Sequence, residues 1–217
     1  MIVATLLTKY TYSITFNFKL EGIAGKPDIS WCDKNQVETI RVNVLGQLNV
    51  LDVANEFDVH CTVLTSGGIY TYDGAEHKPD EVSGGRAFVE SDPANFNALF
   101  YYQMRIVLEQ LIRSYRNVLA LRIMYPCTGD LSNQRSLLAK LIKYESIRSV
   151  PISISVLDDL WPVALDMVLK GVSGVFNFNN PGVISHEQIL QLYKEHVRGE
   201  HTWTVAPFDG SRPAANL

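Results

Sequence analysis

Polar and apolar residues alternate along Tyr10–Leu20. Tyr12, Ile14, Phe16, Phe18 and Leu20 share one parity, and Thr11, Ser13, Thr15, Asn17 and Lys19 the other. A period of two predicts a strand with one wet face. Gly22–Pro27 reads as a loop. From Val37 to Glu56 the period lengthens, with Ile40, Val44, Leu48, Leu51 and Val53–Ala54 near one stripe, and a helix is predicted. Val59–Thr65 is a short, nearly continuous apolar run that predicts a buried parallel strand ending at Ser66-Gly67-Gly68. Asp73–Asn95 is polar and predicts a long loop of the kind that usually serves function. Asn97–Tyr115 predicts a helix with Leu99, Met104, Leu108, Leu111 and Ile112 inward. Val118–Ile123 predicts a second buried strand, closed by Pro126 and Gly129. Gln134–Tyr144 is predicted helical and Ser149–Ser155 extended. Leu157–Leu169 is predicted helical despite Pro162, and Val172–Asn177 a strand. Ser185–Val197 is predicted to be a helix opened by the capping box Ser185-x-x-Gln188. The tail from Thr204 is rich in Pro, Gly and Ala and is predicted to be loose.

Strands that alternate with helices of this length predict βαβ units and a parallel sheet. The expected fold class is α/β, a Rossmann-like, doubly wound sheet. Ligands of such sheets lie beyond the carboxyl ends of the strands. Ser66 and Pro126 follow strands, and the helix that begins near Tyr101 starts at the same edge. The 217 residues amount to about 1.4 times a domain of roughly 150, one domain or one with a small lobe. A net charge of −4 gives no electrostatic footprint for nucleic acid or an anionic membrane. Cys32, Cys61 and Cys127 are far apart with no C-x-x-C, which suits a reducing cytoplasm. No apolar run approaches the ~18 residues of a membrane span. The short apolar run Met1–Leu7 lacks the basic start and cleavage site of a signal peptide. The histidines show no metal-ligand spacing, and no metal site is expected.

One constellation carries chemistry. Tyr101 and Arg105 lie one helical turn apart and share a face, so the cation can stabilise a phenolate. The Ser66 hydroxyl can hold a substrate carbonyl oxygen. Together they suit proton donation in a carbonyl reduction with hydride from a nicotinamide. By pattern alone, the commoner reading of the same residues is a turn serine, a packing tyrosine and a solvated arginine.

Five ordered segments resemble the extended short-chain dehydrogenase/reductase superfamily, in its branch making nucleotide-linked rhamnose (3,5-epimerase/4-reductases and 4-dehydrorhamnose reductases). GIAGKPDISWCD (Gly22–Asp33) resembles the family's G-x-x-G-[RK]-P-N-[VI]-D-W-C-E. TIRVNVLGQLNVLDV (Thr39–Val53) resembles its T-x-R-x-N-V-x-G-T-L helix. HCTVLTSGGIYTYD (His60–Asp73) resembles its strand and A-T-G-C-I-[FY]-x-Y-D turn. ESDPANF and FYYQMR resemble E-x-D-x-x-N-F and F-Y-S-x-T-K. NFNNPGVISHEQIL (Asn177–Leu190) resembles N-F-T-N-P-G-x-[VI]-S-H-N-E-[IV]-L. The resemblance implies that Ser66, Tyr101 and Arg105 take the catalytic positions, with Tyr101, Arg105 and Pro126 on the cofactor side. It implies NADPH or NADH as cofactor and places Lys140, Asn180 and His186 with a nucleotide-sugar substrate. A homodimer or a protein partner is left open. His186 reads equally as the first residue of a helix capped by Ser185. Asn43 matches the superfamily's proton-relay asparagine or is a packing residue. Trp31 and Cys32 read as packing, Asp158–Asp159 as a solvated helix start or an acid/base pair, and Arg122 as a lone candidate phosphate contact. The expected organisation is an unmatched strand-like segment over 1–20 and the remainder of a dinucleotide-binding domain over 21–130. A substrate lobe interleaved with it covers 131–203, and a loose tail 204–217.

The sequence departs from the family at three places. Arg105 stands where the family has Lys; the charge survives, but a planar guanidinium cannot relay a proton. Gly68 stands where the bifunctional branch has the cysteine that the resemblance links to epimerisation. No G-x-x-G-x-x-G occurs, and the first βαβ elements of the dinucleotide half are expected to be missing, which argues against tight dinucleotide binding. Two functions follow: reduction of a nucleotide-linked 4-keto-6-deoxyhexose, or a catalytically impaired sugar-nucleotide-binding or regulatory relative.

Overall fold

The structure is a computed structural model that describes residues 3–6, 12–15, 26–74, 76–78 and 85–217. The glycines of Gly22-x-x-Gly25 and residues 75 and 79–84 of the long polar loop lie outside them, as do the ends of the strand expected over Tyr10–Leu20. The strands are β1 (Val3–Leu6), β2 (Tyr12–Thr15), β3 (His60–Ser66), β4 (Val118–Ile123), β5 (Pro126–Cys127), β6 (Ser146–Arg148), β7 (Ser155–Val156), β8 (Gly174–Asn177) and β9 (Thr204–Ala206). The helices are α1 (Ile29–Lys34), α2 (Gln36–Ile40), α3 (Gly46–Glu56), α4 (Phe100–Ile112), α5 (Leu137–Leu141), α6 (Leu157–Leu169) and α7 (His186–His196). The chain forms two compact units, 1–69 with 93–122 and 163–177, and 70–92 with 123–162 and 178–217.

The first unit carries a five-stranded sheet in the order β1-β2-β3-β4-β8. β2 runs parallel to β3, with Ser13 opposite His60, and β4 runs parallel to β8, with Leu119 opposite Gly174. This is the expected α/β fold. The sheet is not parallel throughout, because β1 pairs antiparallel with β2. The link between them is far too short for a parallel crossover. The helix expected over Val37–Glu56 is present as one continuous run, Gln36–Glu56, made of α2, a π turn and α3, and a separate short helix, α1, precedes it. Asp28 caps α1, with Trp31 N donating to its Oδ1 at 3.0 Å. Asn35, at φ −128 and ψ 58, breaks α1 from α2. A π turn over Arg41–Leu45 then leads into α3 and buries both Asn43 and Val44. The core joins Leu51 and Ala54 of α3, Cys61 and Val63 of β3, Leu108 and Ile112 of α4, and Val118 and Ala120 of β4.

One charged contact runs through this unit. Arg122, at the end of β4, is 1% exposed. Its Nε donates to Glu109 Oε2 of α4 at 2.9 Å, Nη2 donates to Glu109 Oε1, and Nη1 donates to Asn177 Oδ1 of β8 at 3.1 Å. Arg122 is therefore no phosphate contact; its guanidinium is committed inside the protein.

In the second unit β5 pairs parallel with β7 and β6 with β9. Leu137 and Leu141 of α5 pack with Ile147 of β6 and with Ile189 and Leu190 of α7. α5 is shorter than the helix expected over Gln134–Tyr144. Ser136 is extended at its start, with its hydroxyl donating to Thr128 O at 3.0 Å and accepting from Thr128 N at 3.1 Å. The capping box of α7 is present as expected, Ser185 with Gln188. The segment from Thr204 is not loose. It forms β9, and Ala214 and Ala215 are buried. Their carbonyls accept from Tyr72 N at 2.8 Å and Ser153 N at 2.9 Å, and that of Asn216 accepts from Phe88 N at 2.7 Å. Small side chains allow this close approach of backbones. The described part of the polar loop is ordered by His77 stacked on Phe88 at 3.6 Å and by Arg86 held on Asp92 through two hydrogen bonds of 2.7 and 2.9 Å. Among the described residues no helix is long and apolar enough to cross a membrane.

Glu109→Ala removes the carboxylate that balances a buried guanidinium. The expected loss of stability is about 3–5 kcal/mol, seen as a lower urea midpoint, and well above that of Glu200→Ala on the surface.

Candidate functional site

The site grows from the carboxyl end of β3. Ser66 closes the strand, and its Oγ accepts from Gly68 N at 3.1 Å, which fixes the hydroxyl. The turn Gly67–Ile69 packs against α4. In α4, Tyr101 is the second residue and Arg105 follows one turn later. The Arg105 Cζ lies 5.1 Å from the Tyr101 ring centroid, within cation–π range. Arg105 is buried and Tyr101 half-buried. The Tyr101 ring meets Tyr102 edge-on at 5.0 Å, and Tyr102 meets Phe96 edge-on at 5.4 Å.

Behind these residues lies a wall built by α1 and the π turn. Asn43 is fully buried. Its Oδ1 accepts from Lys26 N at 2.6 Å and its Nδ2 donates to Lys26 O at 3.1 Å. Both ends of the carboxamide thus hold one stretch of backbone, which makes Asn43 a packing residue. Cys32 is fully buried beside it, 3.7 Å from Asn43 Nδ2. Burial pushes its thiol up, while a hydrogen bond with Thr39 and the Arg105 charge oppose the shift. Trp31 packs under Lys26, whose Nζ lies 4.7 Å from its ring centroid. Asp33 was not singled out from sequence, yet its Oδ1 accepts from Phe100 N at 2.9 Å.

The second unit holds the other candidates. Pro126 lies in β5 opposite Ser155. Asn180 Oδ1 accepts from Val156 N at 2.8 Å and so holds β7. His186 donates from Nδ1 to Arg148 O at 2.9 Å and meets Tyr125 edge-on at 5.5 Å. Burial pushes its ring toward the neutral form, opposed by the Arg148 hydrogen bond. Burial, and then the neighbouring Arg135 charge, push the Lys140 ammonium down. Asp158 is no acid/base partner of Asp159. It accepts from Thr128 Oγ1 at 3.1 Å and Gly129 N at 3.0 Å and braces that loop. The structure brings Tyr101 and Arg105 together, with Ser66 at the end of β3, just before the turn that packs against the same helix. Pro126, Lys140, Asn180 and His186 belong to the second unit. Among the described residues no cluster of three or more His, Cys, Asp or Glu could hold a metal ion.

No family model matches the chain. A bifunctional dTDP-4-dehydrorhamnose 3,5-epimerase/dTDP-4-dehydrorhamnose reductase of Arabidopsis thaliana is 35% identical over 186 residues, covering 86% of this chain and 60% of that protein. The chain thus spans less than two thirds of that relative's length. The crystal structure of a UDP-rhamnose synthase from Acanthamoeba polyphaga mimivirus superimposes with a TM-score of 0.79 at 28% identity, covering 90% of this chain and 70% of that one. The fold is also that of a dTDP-4-dehydrorhamnose reductase from Bacillus anthracis solved in complex with NADP, with a TM-score of 0.66 at 14% identity, covering 89% of this chain and 67% of that one.

The His186 environment sets a pH dependence. An unfolded histidine takes up a proton below about pH 6.5, whereas the folded ring does so only at lower pH. As pH falls through that window the unfolded state binds more protons, and stability declines. Thermal melts at pH 7.5 and 5.5 should show a smaller drop in His186→Asn than in wild type.

Proposed function

The chain belongs to the nucleotide-rhamnose epimerase/reductase branch of the extended short-chain dehydrogenases/reductases, and from that premise we propose that it is an NADPH-dependent reductase. Its substrate on this reading is a nucleotide-linked 4-keto-6-deoxyhexose, and its place is in nucleotide-rhamnose synthesis. The observation that carries the proposal is the pairing of Tyr101 with Arg105 at 5.1 Å on a helix packed against the turn after Ser66. The relatives bear on the nucleotide, since one is named for a dTDP sugar and another for a UDP sugar.

The nicotinamide end of a dinucleotide suits these residues. Ser66 and Tyr101 are half-buried, so a ligand can reach them, and Arg105 places a fixed cation behind the phenol ring. NADPH, when bound, supplies the hydride. Ser66 receives its own hydrogen bond from Gly68 N, so its hydroxyl proton is left to donate to the keto oxygen. Tyr101 donates the proton that completes the new alcohol. Arg105 offsets the charge left on the phenolate and orients the ribose. Pro126 belongs to the cofactor side, and Lys140, Asn180 and His186 to the sugar-nucleotide side. Asn180 and His186 serve it through the segments they hold, β7 and the end of β6. Gly68 offers no acid or base, so epimerisation is no part of the proposal.

With NADPH and a 4-keto-6-deoxy sugar nucleotide, the chain should oxidise NADPH slowly, and Tyr101→Phe should be at least about 100-fold slower. Arg105→Lys should raise the rate by about tenfold, because an ammonium can pass on a proton and a guanidinium cannot. Wild type and Tyr101→Phe both at background, with sugar nucleotide still bound in calorimetry, would instead make the chain a binding relative.

A further inference from the structure

We infer that Asp33 is a positioning residue for Tyr101: from outside the helix, its carboxylate fixes the end of α4 that carries the tyrosine. This deepens the reductase reading and rests on it. The first N–H groups of an α-helix have no partner within the helix, and an N-cap side chain ordinarily supplies an oxygen. Leu99 holds the N-cap of α4 in the extended conformation that a cap requires, φ −123 and ψ 136, but has no oxygen and makes no side-chain cap. Tyr102 N and Gln103 N turn to the Leu99 carbonyl at 3.0 and 3.2 Å. Phe100 N donates to Asp33 Oδ1 at 2.9 Å, across 67 positions of sequence.

Asp33 is itself held in place. It lies in α1, whose start is capped by Asp28. Just ahead of that cap, the Lys26 backbone is clasped at N and O by Asn43 of the π turn. The peptide that opens α4 is therefore tied through α1 to the preceding helical layer, and Tyr101 is the next residue along. A carboxylate at this end also meets the positive pole of the helix dipole, so the tie is stronger than one made by a neutral acceptor.

Asp33→Ala removes the tie, and Asp33→Asn keeps an oxygen within the same reach. The full chain, with carbon-13 at tyrosine Cζ, gives a Tyr101 resonance assigned by its loss in Tyr101→Phe. In Asp33→Ala this resonance should move and kcat should fall by about tenfold or more, with KM for the sugar nucleotide within about twofold of wild type. Asp33→Asn should restore most of both. Should Asp33→Ala fold poorly, Leu99→Ser added to it gives α4 a cap of its own without the tie to α1. That double variant should regain the fold but neither the resonance nor kcat. A Tyr101 resonance unmoved by Asp33→Ala, or full recovery through Leu99→Ser, overturns the inference. If wild type turns over no sugar nucleotide, the reductase reading fails, while the resonance still decides whether Asp33 positions Tyr101.

Discussion

Everything in the first unit that bears on chemistry depends on the seating of α4, and the Glu109–Arg122 pair is the contact that fixes it against the sheet. A hydrophobic interface alone would let a helix slide or rotate with little change in buried area, because dispersion and burial have no direction. A fork of two hydrogen bonds between a guanidinium and a carboxylate does have direction. Arg122 adds a third hydrogen bond, to Asn177 of the neighbouring strand, so helix and two strands share one register. Such a pair loses much of its Coulomb gain to desolvation. Its value lies in specificity: another seating of α4 takes Glu109 away from the buried Arg122 guanidinium, whereas the contact of Glu109 with Arg113 Nη2 at 3.3 Å, within the same helix, places no constraint on the seating.

That seating acts on the site through the stiffness of the helix. Glu109 lies one turn beyond Arg105, and Arg105 one turn beyond Tyr101, so a shift at the pair is carried to the phenol ring. At the other end Asp33 holds the first peptide of the same helix. Tyr101 is thus placed by ties at both ends of α4, neither of which it makes itself. Ser66 is placed independently, by the end of β3 and by Gly68 N. A strand end and a helix start meet where the ligands of α/β sheets bind.

Much of this could be read from the sequence, and the exceptions share a cause. β4 and α6 run over the residues that periodicity predicted, Val118–Ile123 and Leu157–Leu169, and α7 lies between its predicted caps. These are local signals. Tyr101 and Arg105 were legible for the same reason, since an i, i+4 pair needs only helix geometry. The π turn at Arg41–Leu45 was not, because the buried face there carries the polar Thr39, Asn43 and Gln47, while Ile40 and Val53 of the apolar stripe are exposed. Asp33 was hidden because its partner is 67 residues away, and Leu99, the residue that should have capped, offers only an absence as a clue. Arg122 looked like a phosphate contact because its two partners lie on other elements. The tail looked loose because Pro, Gly and Ala signal flexibility in isolation, yet small residues are also what a tightly covered backbone requires.

The arginine at position 105 shows what that placement asks of a cation. A buried ammonium is compact and strongly hydrated, so burial favours its neutral form. A guanidinium spreads its charge, is more weakly hydrated and stacks on aromatic faces. Arg105 is 6% exposed and lies over the Tyr101 ring, a setting that suits the planar, stacking guanidinium. The exchange is unequal. On the proposed reading, Arg105 gives electrostatic support to a Tyr101 phenolate but cannot hand a proton onward, so the tyrosine would regain its proton from solvent rather than through its neighbour. On this reading the chemical step is preserved in geometry and slowed in proton return. Asn43 fits the same conclusion, because both ends of its carboxamide are committed to the Lys26 backbone.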